Sequence, residues 1–520
     1  MKKNIIRTFT FMFSAIFLAK ILGLVRNIIF ANCYGTGYEA TAFFTASRIP
    51  LQLLDMSLGA AISSTFIPIF NEYLQKKGKE RAIQFANNFL NIIIVISLIL
   101  TILGIVFAPF IVNVIAPELP PTTFEITVEL IKILFPIMLF TAVAFVFVGF
   151  LQSLDEFRIP AIISVVANGI LILYLILFND KYGVEGAAIA MLIGWGTQVI
   201  VQLPAVIKKG FKYKFIIDFK DEGIKKIVKL ALPILISTWV QPINNLVNLR
   251  LASGLEEGQA VSAIEYSYNL YLIIVGVFSY TLSNIIFPEL SKLTADNNKE
   301  QIKNILNNSI KVSLLFIIPM AVGIAMLSDD IIKIIYERGE FTAESTALTS
   351  KVLLYYSIGM IGYGLMEVLN KAFYAMQDSK TPMKTSIVAI ILNVTLSIIF
   401  VKMMGYTGLP LAASITSVVV GIIMLILVNT KINGIVTKDT IKELIKIAVS
   451  AIIMAVLIII LKKVIIGTTL LKVIIRVCAS VILGIILYFS SMILLKSDLL
   501  SGLKTYIIRK NKRKDVYVER

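Results

Sequence analysis

The sequence predicts an all-α polytopic membrane protein. It has about 14 transmembrane helices, built as two six-helix lobes in a parallel pseudo-two-fold repeat plus two C-terminal helices. Three observations lead there. The 520 residues are 58% hydrophobic and only 16% charged, with a mean hydropathy of +0.87, where a soluble domain carries about 25% charge. Apolar runs of about 20 residues, the length that crosses a bilayer core, recur along the chain. The sequence also repeats itself without a gap at an offset of 222 residues.

The fourteen apolar spans lie near 9–33, 40–70, 83–108, 129–151, 160–178, 184–206, 229–252, 263–290, 308–328, 348–372, 384–403, 408–429, 443–461 and 471–495. Lys2, Lys3 and Arg7 precede the first, which carries Lys20 and Arg26 and runs past Ala31 with no clear small-residue cleavage site. That pattern fits a retained helix better than a signal peptide. The repeat matches Glu156 with Asp378, Arg158 with Lys380, Pro160 with Pro382, Gly183 with Gly405, Gly186 with Gly408 and Ala190 with Ala412. The offset spans six helices, an even number, so both halves share one orientation, as in parallel-repeat transporters. The expected organisation is an N-terminal lobe (1–206), a basic cytoplasmic linker (207–228), a C-terminal lobe (229–429), helices 13 and 14 outside the repeat (430–495), and a basic tail (496–520). With a cytoplasmic N-terminus, 35 of the 49 Lys and Arg fall in the tails and loops of that side. The positive-inside rule therefore places both termini in the cytoplasm.

Composition also excludes chemistry. The chain has no histidine, which removes His-based acid/base catalysis and His metal sites. Cys33 and Cys478 sit in or beside apolar runs and form neither a disulfide framework nor a zinc cluster. The net charge of +17 is explained by its loops and tails and does not indicate nucleic-acid binding. No enzyme activity, metal site or organic cofactor is expected.

Charges inside apolar spans are costly, about 2.5–3.5 kcal/mol each on insertion scales, and mark function by default. Lys20, Arg26, Arg48 and Arg250 lie inside or near the ends of spans. They either face an aqueous cavity or snorkel to headgroups. Nearby acids are few: Asp55, seven residues after Arg48, and Glu265, early in helix 8. A cationic cavity suits an anionic substrate, because guanidinium groups bind phosphate bidentately. Glu367 and Lys371, spaced i, i+4, form a local ion pair or a titratable coupling element. Asn393 and Ser397 form an interhelical hydrogen-bonding pair or a cation-coordinating site. Lys351 and Arg476 read as interfacial anchors, and Asp329 and Asp330 as a solvated helix flank.

Several strings resemble the MurJ/MviN family, the lipid II flippases of the multidrug/oligosaccharidyl-lipid/polysaccharide exporter superfamily. They are AKILGLVRN (19–27), TAFFTASRIP (41–50), YERGEFT (336–342) and KAFYAMQDSKTP (371–382), and matches of this kind cover residues 12–415. Asn27, Thr41 and Asn269 stand where the family often has an acid, an Asp and a base. The resemblance implies flipping of an undecaprenyl-pyrophosphate-linked peptidoglycan precursor, lipid II, from the inner to the outer leaflet of the bacterial cytoplasmic membrane. Its implied mechanism is alternating access through a central cationic cavity. It implies substrate contacts at Lys20, Arg26 and Arg48, with Arg250 at a position shifted by one. The remaining polar residues, Asp55, Glu265, Glu367, Asn393 and Ser397, are candidates for coupling or gating. A coupling cation, Na+ or H+, is left open. The expected partners are the lipid-linked glycan and membrane lipids; the oligomeric state is left open, a monomer being compatible with the sequence. The competing reading is an exporter of another lipid-linked polysaccharide or of a small molecule.

Overall fold

The computed structural model of the chain describes residues 2–51, 65–238, 240–296, 298–432 and 434–500. Asp55 and the basic run at 509–514 lie outside them. Among the described residues all regular structure is helical. The first half runs α1 (Lys2–Tyr34), α2 (Tyr38–Arg48), α3 (Ile67–Lys76), α4 (Gly78–Val106), α5 (Ala108–Ile115), α6 (Pro121–Leu134), α7 (Ile137–Ser153), α8 (Arg158–Leu177) and α9 (Asn179–Lys208). The second runs α10 (Glu222–Thr238), α11 (Val240–Ala252), α12 (Gln259–Ala295), α13 (Lys299–Tyr336), α14 (Ala343–Ala375), α15 (Lys380–Met404), α16 (Gly408–Lys431), α17 (Lys438–Val464) and α18 (Leu470–Leu494).

Eleven helical stretches among the described residues are long and apolar enough to cross a membrane. One of them, Lys380–Lys431, holds two expected spans joined by a tight turn at Gly405–Thr407. The expected spans 40–70 and 229–252 are not among the eleven. The first includes residues 52–64, outside the described set, and the second is divided into α10 and α11. Pro136 separates α6 from α7, because its ring and missing N–H break the helical ladder.

The repeat is written into the backbone. Left-handed φ values pair at the same offset of 222: Gly35 (55°) with Glu257 (53°), Asp155 (61°) with Gln377 (57°), and Gly183 (54°) with Gly405 (64°). Gly183 and Gly405 also share ψ, −152° and −143°, a region open essentially to glycine alone. Next to the second pair, matched acids begin matched helices. Glu156 accepts from Arg158 N at 3.0 Å at the start of α8, and Asp378 accepts from Thr381 N at 3.0 Å at the start of α15.

Asp378 also accepts from Lys431 Nζ at 2.6 Å. That hydrogen-bonded ammonium holds the carboxyl down to about 2 from its usual 3.8. A depressed folded value means the contribution is full above pH about 4 and is lost as the pH falls toward about 2. Asp378→Asn is expected to cost at most about 1 kcal/mol at neutral pH. Melting curves of the wild type and variant should converge near pH 2.

Two compact units divide the chain: Met1–Glu265 with Arg338–Ser345, and Tyr266–Glu337 with Thr346–Arg520. The first contains a core of packed rings: Phe66 stacks on Phe85 at 5.7 Å and on Phe89 at 5.2 Å, and Phe150 meets Phe70 edge-to-face at 5.5 Å. In the second, α14 and α16 approach through small residues. Ser414 Oγ donates to Tyr355 O at 2.6 Å and Ser417 Oγ to Gly359 O at 3.0 Å. A Cβ on Gly362 would run into the Ser417–Val418 backbone. Without a hydrophobic force between helices in lipid, such close approach is what binds them. Gly362→Val is therefore expected to destabilise the protein by about 2 kcal/mol or more, read as a lowered apparent melting temperature in detergent.

Helices α17 and α18 pack on α13 through Leu315, Leu327, Ile447, Met454, Ile458 and Met492, all buried, and Tyr488 donates to Leu315 O at 2.8 Å. Asp330 departs from the solvated-flank reading. It is 5% exposed and pairs with Arg476, which also donates to Ile465 O at 3.0 Å. Arg476, read as an interfacial anchor, thus ties the start of α18 to α13 and to the α17–α18 turn.

Candidate functional site

α1 is unbroken through Gly23, so Lys20 and Arg26 point about 120° apart. The Lys20 side chain is exposed. Arg26 is half-buried and turned toward α8. Its Nη1 donates to Asn168 Oδ1 at 3.1 Å, and its Nε and Nη2 donate to Asn27 Oδ1 at 3.2 and 2.9 Å. Asn168 is itself oriented, donating to Ser164 O at 2.8 Å. Both acceptors are neutral carboxamides: they aim the guanidinium without cancelling its charge.

Arg48 is placed differently. It is 8% exposed, and its Nη2 lies 2.7 Å from Glu265 Oε2. The structure therefore brings together one residue from the expected substrate set and one from the coupling set, as a buried ion pair. Arg250 Nη1 donates to Val114 O at 2.6 Å, at the C-terminal turn of α5, where free carbonyls and the helix dipole attract a cation.

The remaining candidates lie apart from these. Glu367 accepts from Ser283 Oγ at 3.5 Å, while the Lys371 ammonium sits 5.7 Å from the Phe287 ring. Asn393 and Ser397 are fully buried, and Ser397 donates to Asn393 Oδ1 at 3.4 Å within α15. No group of acids and thiols among the described residues could hold a metal ion. A cavity of about 430 Å³ beside α3 and α4 is lined by Lys77, Arg81 and Lys220 but equally by Asp218, Asp221 and Glu222. Its balanced charge does not mark it as an anion site.

Two features went unread in the sequence. Asn168 is a lone amide in an apolar span, and its partnership with Arg26 is 142 residues distant. The Arg-Gly-x-Phe-Thr string belongs to a knot of three segments in the first unit. Glu340 N donates to Asn32 O at 2.9 Å, Thr36 Oγ1 lies 2.8 Å from Ser345 Oγ, Ser262 Oγ donates to Thr36 O at 2.8 Å, and Thr41 Oγ1 donates to Gly258 O at 3.0 Å. A Cβ on Gly35 would strike Glu340 O, and one on Gly339 would strike Asn32 O. At positive φ, both positions require glycine.

These features define a class: a polytopic helical membrane protein with a repeated architecture and an oriented cation inside its first helix. A solved structure described as a multidrug resistance MATE family transporter of the MOP superfamily, inward-facing, shares the fold, with TM-score 0.66 at 16% identity over 82% of this chain and 98% of that one. The family model for the lipid II flippase MurJ matches residues 30–494, and the chain belongs to that family. A probable lipid II flippase MurJ of Rhizobium tropici is 29% identical over 407 residues, 76% of each chain. A structure of lipid II flippase MurJ in an inward closed conformation matches with TM-score 0.82 at 28% identity, covering 94% of this chain and 99% of that one.

Proposed function

We propose that this protein flips lipid II, the undecaprenyl-pyrophosphate-linked peptidoglycan precursor, from the cytoplasmic to the outer leaflet of the bacterial cytoplasmic membrane, with both its termini cytoplasmic. The observation that carries the reading is Arg26, a guanidinium in an apolar helix held in place by Asn27 and Asn168. Family membership supplies the cargo. The pyrophosphate enters a cationic cavity in which Arg26 gives charge-assisted hydrogen bonds, and alternating access then exposes the head on the other side. The prenyl tail stays in hydrocarbon, with the apolar surface of α17 and α18 as its path. The membrane potential acts at about 2.3 kcal/mol per charge per 100 mV, enough to bias the return of a positively charged empty carrier. No bond is made or broken.

The test is reconstitution into proteoliposomes with headgroup-labelled lipid II beside an undecaprenyl-pyrophosphate glycan lacking the pentapeptide. Protein-dependent movement of lipid II supports the reading. Movement of only the other glycan replaces it with the polysaccharide-lipid exporter.

A further inference from the structure

The linker after α9 is not a loose tether. Residues 211–218 form neither helix nor strand, yet they run extended along α4 on a ladder of three buried asparagines. Asn87 Nδ2 donates to Lys212 O at 2.9 Å and its Oδ1 accepts from Lys214 N at 2.8 Å. Asn91 Nδ2 donates to Lys214 O at 3.0 Å and Ile216 O at 3.1 Å. Asn88 accepts from Asp218 N at 2.7 Å and donates to Asp218 O at 2.8 Å. Carboxamides here replace a neighbouring strand. Both ends are pinned as well. The Phe211 ring lies 5.2 Å from that of Phe150, and Asp221 accepts from Gly223 N at 2.8 Å at the start of α10 and from Tyr73 Oη at 3.1 Å.

The main-chain rungs are all even-numbered residues. In an extended chain the odd side chains then share one face, here Tyr213, Phe215 and Ile217; Tyr213 Oη donates back to Asn91 Oδ1 at 3.0 Å, and Phe219 follows in the turn after the extended stretch. Phe215 is 74% exposed and Phe219 63%, although both are outside the membrane-spanning helices. The repeat-related linker shows that the architecture does not demand this. There Asn307 donates to Ile435 O at 2.8 Å in a similar way, but Ile435 is fully buried.

The ladder also fixes the depth of this row. Residues 89–107 of α4 and its C-cap carry no charge, and 19 residues of helix rise about 28 Å, close to the roughly 30 Å hydrocarbon core. Asn87, Asn88 and Asn91 thus sit where the apolar run begins, and the linker lies at the membrane boundary. Residues 207–229 carry eight Lys against three acids, with Lys208, Lys212, Lys214 and Lys220 exposed.

We propose that residues 212–220 are a preformed interfacial anchor for anionic phospholipid on the cytoplasmic leaflet. Phe215 and Phe219 enter the headgroup–acyl boundary, while Lys212 and Lys214, on the opposite face of the extended stretch, and Lys220 reach with their long stems to the lipid phosphates above it. The rigid ladder removes the ordering cost that a flexible basic loop would bear on docking. An anionic surface attracts each nearby lysine by an amount equivalent to about fivefold enrichment.

The experiment uses the full chain with Phe215→Trp, and with Trp195→Phe and Trp239→Phe so that a single indole reports. It is reconstituted with phosphatidylglycerol or phosphatidylcholine brominated near the carbonyl end of the acyl chains, at equal mole fraction. The expected result is blue-shifted emission, quenched about twofold or more strongly by the brominated anionic lipid. Lys212→Gln, Lys214→Gln and Lys220→Gln together should bring the two lipids to parity. Asn88→Ala with Asn91→Ala should abolish the quenching by releasing the segment. Water-like emission with no quenching by either lipid overturns the proposal, as does equal quenching with the lysines intact. Protection that depends on protein concentration rather than on lipid overturns it in favour of pairing between copies. If the indole variant does not fold, hydrogen exchange of the unsubstituted protein in nanodiscs decides. Amides of 213–219 should exchange more slowly with phosphatidylglycerol present, and identical exchange in both lipids overturns the proposal.

Discussion

Arg26→Ala is expected to reduce lipid II flipping by about tenfold to a hundredfold, the value of one or two hydrogen bonds to a charged group, while the protein stays folded. The separation of effects follows from the site. Arg26 is half-buried on the α1–α8 contact, and its Asn27 and Asn168 acceptors are neutral. Its removal takes a donor from two neutral amides rather than stranding them as buried charges, so the structural loss through Asn27 and Asn168 is small. Arg26→Lys keeps the charge but loses the planar fork that reaches two amides and a phosphate together, and should fall between the two. Asn168→Ala leaves the charge in place but loosens its aim, so the flipping rate should drop less than in Arg26→Ala. Rates in proteoliposomes, set beside melting curves of the same preparations, measure both sides of the comparison.

The opposite profile is expected at Arg48. Its guanidinium and Glu265 form an ion pair with both side chains largely buried. Breaking such a pair from one side costs about 3–5 kcal/mol, because the partner is left as an uncompensated charge, whereas replacing both by apolar groups of similar volume is far milder. Arg48→Met and Glu265→Leu should each lower the apparent melting temperature sharply, and the double variant should recover most of the loss. If the pair is instead needed intact for transport, the recovered double variant will be stable and inactive. Flipping assays on that variant alone therefore separate a scaffold role from a functional one.

Much of the fold was legible because its signals are local. Apolar runs of membrane length and the 222-residue repeat are read directly from the sequence, and the repeat reappears as matched left-handed residues at Gly183 and Gly405. What stayed hidden depends on partners far apart in the chain. Asp330 looked like a solvated flank because Arg476, which buries and neutralises it, lies 146 residues away. Arg48 and Glu265 each stood out as a charge in or near an apolar span, but nothing in either segment states that they meet. Asn87, Asn88 and Asn91 carry no local sign of the linker they hold, because its residues lie more than 120 positions further along the chain. Arg26 was legible as a candidate. Its orientation was not, since that rests on Asn168.

The central claim is that Arg26 recognises the pyrophosphate of the cargo. The most direct measurement is the affinity of the purified protein for a short-chain, pyrophosphate-linked disaccharide-pentapeptide, against the same compound with a single phosphate. A preference of about tenfold or more for the pyrophosphate, erased in Arg26→Ala, is the predicted result. Equal affinity for the two compounds, or an unchanged preference in Arg26→Ala, would contradict it.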